Sequence, residues 1–262
     1  MLSQNQVKHI SALRVKKYRE EFSQFIAEGH KLVTELMNSD FSVAGIYASS
    51  EWIVANLPLV RERNIPVFET LPREMERITA LATPSPVLAV VEIGPVSDPV
   101  ADGNGSLKGL NLALDDIRDP GNMGTIIRIA DWFGISAVFC SPSCVELFNP
   151  KVVQATMGSI ARVRMVSCNL AELLASQSAR HDDFPIYGAF LEGESLYAQP
   201  LADCGIILIG NESRGISAEL GRFVNRKIYI PSFGPSDAGK AESLNASVAA
   251  AIICAEFRRK TF

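Results

Sequence analysis

Leu110-Asn111-Leu112-Ala113-Leu114-Asp115-Asp116-Ile117-Arg118-Asp119-Pro120-Gly121-Asn122-Met123-Gly124-Thr125-Ile126-Ile127-Arg128-Ile129-Ala130 is a brief apolar run, then a polar turn, then a helical pattern. A short run bounded by turn residues is how a fully buried strand reads. The two glycines of the turn allow close backbone approach, Asn122 is the expected helix cap, and Gly134 ends the helix. Working outward, the same alternation recurs. Apolar runs at Ala137–Cys140, Arg162–Val166, Ile186–Phe190, Gly205–Ile209 and Lys227–Ile230 are separated by helical stretches, which predicts an α/β domain with a mostly parallel sheet and helices on both faces. The chain closes on Ser243–Arg259, where Leu244, Val248, Ile252 and Ala255 recur at helical spacing, predicting a helix buried on most sides.

Ligands of open α/β sheets bind beyond the carboxyl ends of the strands, so three loops are candidates. The first is the turn just quoted. It has neither the Gly-x-Gly-x-x-Gly fingerprint nor a Gly-Lys-Ser/Thr phosphate loop, so nicotinamide or nucleotide-triphosphate chemistry gains no support. Arg128 stands among Ile126, Ile127, Ile129 and Ala130. A guanidinium there needs a partner, either a structural one, Asp131 or Asp119, or a ligand. The second loop is Gly210-Asn211-Glu212-Ser213-Arg214-Gly215-Ile216-Ser217, a polar edge at a strand's end, or simply a turn capped by Ser217. The third runs from Ile230-Pro231 to Ser243-Leu244-Asn245 and is long for a strand-to-helix connection, as functional loops often are.

Ahead of these lies a second α/β unit: a helical stretch around Tyr18–Met37 and strands at Val43–Ala48, Pro66–Glu69 and Val87–Ile93. Gly94–Gly109 is rich in Gly, Pro, Asp and Ser and reads as a linker, giving domains at 1–93 and 110–262. The chain has 262 residues, 47% hydrophobic and 21% charged, the composition of an ordinary globular protein. No apolar run approaches a membrane span and the start does not resemble a signal sequence, so no membrane partner and a cytoplasmic location are expected. Cys140, Cys144, Cys168, Cys204 and Cys254 lack metal-ligand spacing, so buried thiols and no metal are expected. The net charge of −4 disfavours nucleic acid. The stretch carrying Lys8, Arg14, Lys16, Lys17 and Arg19 with no acidic residue favours it locally, unless it is a solvated helix face.

Together the three loops resemble the signature motifs of the SpoU (TrmH-like) family of RNA ribose 2′-O-methyltransferases. Asn-x-Gly followed by an arginine is matched by Asn122, Gly124 and Arg128. Gly-Asn-Glu followed by Gly-Ile is matched by Gly210, Asn211, Glu212, Gly215 and Ile216. Ile-Pro, then Ser-Leu-Asn-x-Ser-x-Ala, is matched by Ile230-Pro231 and Ser243–Ala249. The segment Ser232–Ala241 is longer than the family's usual loop. Lys16-Lys17-Tyr18-Arg19 followed by Phe25-Ile26-Ala27-Glu28-Gly29 resembles the opening of the family's substrate-binding domain and turns the basic stretch toward RNA.

The resemblance implies a SPOUT-type fold with a deep trefoil knot, a homodimer formed through the knotted domain, and S-adenosylmethionine as methyl donor. It assigns catalytic roles to Arg128, Asn122, Glu212, Ser243 and Asn245, and donor binding to Gly210, Asn211, Ile230, Leu244 and Ser243. RNA contacts fall to Lys8, Arg14, Lys16, Lys17 and Arg19. It implies Arg128 either as base or as phosphate ligand, with Glu212 pairing with it or positioning substrate. Ribosomal RNA is the preferred substrate, with transfer RNA as the alternative. A non-catalytic RNA-binding or assembly protein of the same fold is the competing class, and donor binding separates the two.

Overall fold

The computed structural model describes residues 1–94, 107–180, 183–233 and 243–259. Contacts group the chain into two compact units: Met1–Pro95 with Glu146–Arg162, and Val96–Val145 with Val163–Phe262. Most of the expected linker lies outside the described residues.

The first unit runs α1 (Gln4–Ala12), α2 (Lys16–Phe22), β1 (Gln24–Glu28), α3 (His30–Met37), β2 (Val43–Ala48), α4 (Ser50–Glu62), β3 (Val67–Glu69), α5 (Pro72–Ile78) and β4 (Val87–Glu92). Its sheet has the order β1-β4-β2-β3, with β4 antiparallel to both neighbours and β3 parallel to β2. Val7, Ile10, Leu13, Ile26, Met75, Ile78 and Leu88 form its core.

The expected helix over Tyr18–Met37 is instead helix, strand, helix. Ser23 and Gly29 take φ of 50° and 102°, which stops α2 and starts α3. Between them Phe25, Ile26 and Ala27 pair with β4. At the end of β1 the Glu28 carboxylate is buried and accepts the Ala80 N–H at 2.7 Å and the Thr79 hydroxyl.

Residues 146–162, expected in the C-terminal domain, group with the first unit for two physical reasons. Phe148 packs on Phe25 at 4.8 Å between ring centroids. Glu146 takes the guanidinium of Arg19, which is 2% exposed, through both carboxylate oxygens.

The second unit contains β5 (Leu110–Leu114), α6 (Pro120–Trp132), β6 (Ala137–Cys140), β7 (Met165–Ser167), α8 (Leu170–Arg180), β8 (Ile186–Ser195), β9 (Gly205–Ile209), α9 (Ala218–Gly221), β10 (Arg226–Tyr229) and α10 (Ala246–Arg259); α7 (Pro150–Ala155) belongs to the excursion into the first unit. The sheet order is β10-β8-β9-β5-β6-β7, and every neighbouring pair is parallel.

Alternate strand residues face opposite sides. Ala113, Phe139, Ile186, Ile206 and Leu208 pack against Leu170, Leu173 and Leu174 of α8. On the other side Tyr187 meets Phe257 of α10 edge-on at 4.8 Å. Helices α6 and α10 lie side by side, joined at one end by Asn122 and Asn245 and at the other by Arg258, which donates to the carbonyls of Phe133 and Gly134 at 2.7 Å each.

Helix α10 departs from expectation. Ala246, Ala250, Ile253, Cys254 and Phe257 face inward, whereas Leu244 and Val248 are 44% and 46% exposed. The stripe visible in the sequence is therefore the uncovered face. Trp132 of α6 is exposed as well.

Candidate active site

The site lies at the carboxyl ends of β5 and β9, where a parallel sheet presents its loops. Asp119, not Asn122, caps α6: its Oδ1 accepts the Asn122 N–H at 2.8 Å, and Pro120 follows in the first turn, where a missing N–H costs nothing. Asn122 is thereby held inside the helix with its side chain free to bridge.

That side chain ties the three loops together. Its Nδ2 donates to Glu212 Oε1 on the second loop. Its Oδ1 accepts from Asn245 Nδ2 of the third loop at 2.9 Å, and the Ser247 hydroxyl of α10 stands 3.3 Å from it. Asn245 in turn starts α10, since its Oδ1 accepts from the Ser247 N–H and hydroxyl at 2.9 and 2.6 Å and from the Val248 N–H at 3.3 Å. An amide both donates and accepts, so Asn122 can hold the Glu212 carboxylate of the second loop on one side and Asn245 of the third on the other.

The second loop is built to close on itself. Asn211 and Gly215 exchange backbone hydrogen bonds at 3.1 and 2.8 Å. The Asn211 side chain accepts the Ser213 and Arg214 N–H groups at 3.0 and 3.2 Å and donates to the Asp116 carbonyl at 2.9 Å. The side chain of Asn211, expected at the donor site, thus holds the loop. Gly210 can be nothing else, because a Cβ there would stand 2.2 Å from the Gly215 carbonyl carbon and 2.3 Å from the Ile216 nitrogen.

Of the expected catalytic set, the structure brings together Asn122, Glu212 and Asn245. Ser243 is exposed, and its side chain makes no hydrogen bond among the described residues. Arg128 lies on the exposed side of α6 while Ile126, Ile127 and Ala130 are buried. It does not enter the apolar core, and among the described residues it pairs with none of Asp119, Asp131 or Glu212. Helical rotation sets it roughly 120° from Asn122, which leaves it outside the amide network and open to a ligand. Ile230, just past β10, is half-buried, and Leu244, just ahead of α10, is exposed.

Sequence reading missed Ser247 as a site residue, and it missed Asp115 and Asp116. The buried Asp115 carboxylate accepts the Ser217 N–H at 2.8 Å, and Ser217 begins α9. A neighbouring feature is Cys144, whose Sγ accepts the Ile117 N–H at 3.3 Å. The Cys140 thiol, then Ser141 and Ile117, lower the Cys144 pKa to about 7 against the opposing effect of burial.

Residues 109–255 match the family described as SpoU rRNA Methylase, and residues 4–89 match the MRM3-like substrate binding domain. The chain belongs to the SpoU rRNA methylase family. Among SpoU relatives, the 23S rRNA (guanosine(2553)-2′-O)-methyltransferase RlmP of Bacillus subtilis is 30% identical over 253 residues, 96% of this chain and 95% of that protein. Two solved structures are also similar. A TrmH-family protein from Porphyromonas gingivalis is 38% identical with a TM-score of 0.86, covering 99% of each chain. An AdoMet-bound rRNA methyltransferase from Sinorhizobium meliloti is 29% identical with a TM-score of 0.86, covering 100% of this chain and 97% of that one. The SpoU match spans all three loops of the site.

In the first unit, Lys8, Arg14, Lys16 and Lys17 are exposed, as an RNA-binding stretch requires. Arg19 is withdrawn from that role by its burial against Glu146, and it also donates to the Leu13 carbonyl at 2.8 Å.

Proposed function

We propose that this protein transfers the methyl group of S-adenosylmethionine to a ribose 2′-hydroxyl of ribosomal RNA. The observation that carries the reading is the Asn122–Glu212–Asn245–Ser247 network, which holds three loops in one arrangement at the strand ends. The relatives' rRNA activities and the AdoMet-bound neighbour support it.

Gly210, Ile230 and Leu244 are the residues that would hold the donor. Gly210 lets two backbone segments approach without a side chain between them, and Ile230 and Leu244 add apolar surface. Main-chain groups and apolar walls suit a nucleoside, and bound there S-adenosylmethionine supplies an electrophilic methyl group.

The chain's own groups manage the acceptor. Arg128 has no partner among the described residues, and a guanidinium keeps its proton in proteins. It therefore acts as a phosphate ligand that fixes the ribose and offsets charge developing on its oxygen, rather than as a base. Glu212 presents Oε2, the oxygen not engaged by Asn122, to the hydroxyl proton. Lys8, Arg14, Lys16 and Lys17 add phosphate contacts that carry affinity but no sequence information.

Two further features of the reading rest on α10. Leu244 and Val248 at one end of the α6–α10 pair and Trp132 at the other are exposed apolar side chains, which supports a homodimer through these helices. Helix α10, which follows the edge strand β10 in sequence, packs beside α6, and this supports the trefoil knot that the family resemblance implies. No described helix is long and apolar enough to cross a membrane, and we place the reaction in the cytoplasm with its ribosomal substrate.

Arg128→Ala tests the reaction. Transfer of labelled methyl groups to unmodified rRNA should disappear while calorimetric binding of S-adenosylmethionine stays near that of the parent protein. Full retention of transfer would remove Arg128 from the site.

A further inference from the structure

Beside the amide network, the carboxyl end of β5 carries a second arrangement. Asp116 has φ of 60°, a left-handed conformation that a non-glycine residue adopts when its surroundings require it. Its N–H donates to Ser141 Oγ at 3.0 Å and its carbonyl accepts from Asn211.

So pinned, the carboxylate is 14% exposed and takes two guanidiniums: Arg118 through Nε at 2.7 Å, and Arg214 through Nη2. The arginine side chains are 64% and 60% exposed. They come from the first and second loops of the site. Both Nη groups of Arg118, and Nε and Nη1 of Arg214, have no partner among the described residues. The adjacent carboxylates are engaged elsewhere, Asp115 with Ser217, Asp119 with Asn122 and Glu212 with Asn122.

Stability does not account for this. Exposed ion pairs contribute little, and one carboxylate uses only one edge of each guanidinium. What the arrangement achieves is orientation, since a guanidinium held by one edge keeps its other donors in a fixed fork suited to a phosphate.

We propose that Arg118 and Arg214 form a clamp for RNA backbone phosphates flanking the target nucleotide, with Asp116 as the positioning residue that sets their spacing. The inference rests on the RNA reading above and goes beyond it, because the clamp is separate from Arg128 and from the basic stretch of the first unit.

The test is filter binding of an unmodified large-subunit rRNA transcript to the full-length protein with S-adenosylmethionine present, across a series of salt concentrations. Arg118→Gln with Arg214→Gln should weaken binding by roughly ten-fold or more. It should also flatten the dependence of log Kd on log salt by about 1.5, the effect of two lost phosphate contacts. Arg118→Lys with Arg214→Lys should keep the salt slope and regain part of the affinity. In methylation assays the loss should fall on the KM for RNA, with donor binding unchanged.

An Arg118→Gln, Arg214→Gln protein with the parent's affinity and salt slope would overturn the clamp. Failure of the parent protein to methylate any RNA would instead strike the proposed reaction, and the salt slope would still decide the clamp.

Discussion

Asn122→Asp is nearly isosteric, yet it should separate the loops of the site. The exchange keeps the acceptor used by Asn245 and Ser247 but replaces the Nδ2 donor with an oxygen facing Glu212 Oε1. Losing a hydrogen bond to a charged group costs about 1.5–3 kcal/mol. The two carboxylates then repel. At ~4 Å with an effective dielectric constant near 20 the repulsion is about 4 kcal/mol, reduced by solvent and salt to roughly 1–2 kcal/mol at this half-buried position. The expected loss is about 3–4 kcal/mol near neutral pH.

The sign with pH follows from linkage. A pair of carboxylates forced together favours its shared-proton form, so its folded-state affinity for that proton rises above the unfolded value of about 4. Stability in the variant is therefore lost as pH rises through that range and recovered as it falls, because the shared proton restores a hydrogen bond. Urea midpoints measured at about pH 5 and about pH 8 should diverge from those of the parent only at the higher value. Adding Glu212→Gln should restore much of the loss, since the new amide donates where Asn122 once did. A deficit equal at both pH values, or untouched by Glu212→Gln, would show that this hydrogen bond is not what joins the loops.

Arg19→Ala leaves Glu146 facing a buried site without its partner and should cost about 3 kcal/mol or more in urea denaturation, with no change in the salt slope of RNA binding. Trp132→Glu combined with Val248→Glu places charge at two exposed apolar positions of α6 and α10; under the proposed dimer, sedimentation velocity should show the parent as dimer and the variant as monomer. For Cys144, the folded state favours the thiolate, with a pKa lowered to about 7 from 9.0. Its stabilising contribution is complete above the unfolded value and fades as pH falls through about 7, so urea midpoints of the parent and Cys144→Ala should draw together from about pH 9 to about pH 6.

Much of the fold was legible because strands buried on both faces read as unbroken apolar runs. Gly205–Ile209 in the sequence is β9 in the structure, and Val43–Ala48 is β2. What failed depended on partners distant along the chain. Phe25-Ile26-Ala27 belongs equally to a helix or a strand until β4 pairs with it, and Gly29 announced the break while Ser23 did not. Arg19 sat among exposed cations in the sequence, but its partner Glu146 is 127 residues away, so burial was invisible. The α10 stripe was correct as periodicity and wrong as burial, since periodicity marks an apolar face and not what covers it. In the site, the motif positions of Asn122, Glu212 and Asn245 were recoverable through resemblance, while their mutual contacts were not.

The site divides its work by charge. The groups that hold the loops in place are mostly amides and hydroxyls, Asn122, Asn211, Asn245 and Ser247, which keep the same hydrogen bonds across pH and add no net charge to a region already rich in carboxylates. The arginines are treated differently. Arg19, which has a structural task, is enclosed against a carboxylate, whereas Arg118, Arg128 and Arg214 stand exposed with donors unspent. Exposure alone is ordinary for arginine. Its coincidence on the first two loops and on α6, beside loops held by their own hydrogen bonds, is what a polyanionic substrate would require: a frame that does not rearrange, and cations whose remaining hydrogen bonds are completed only when RNA arrives.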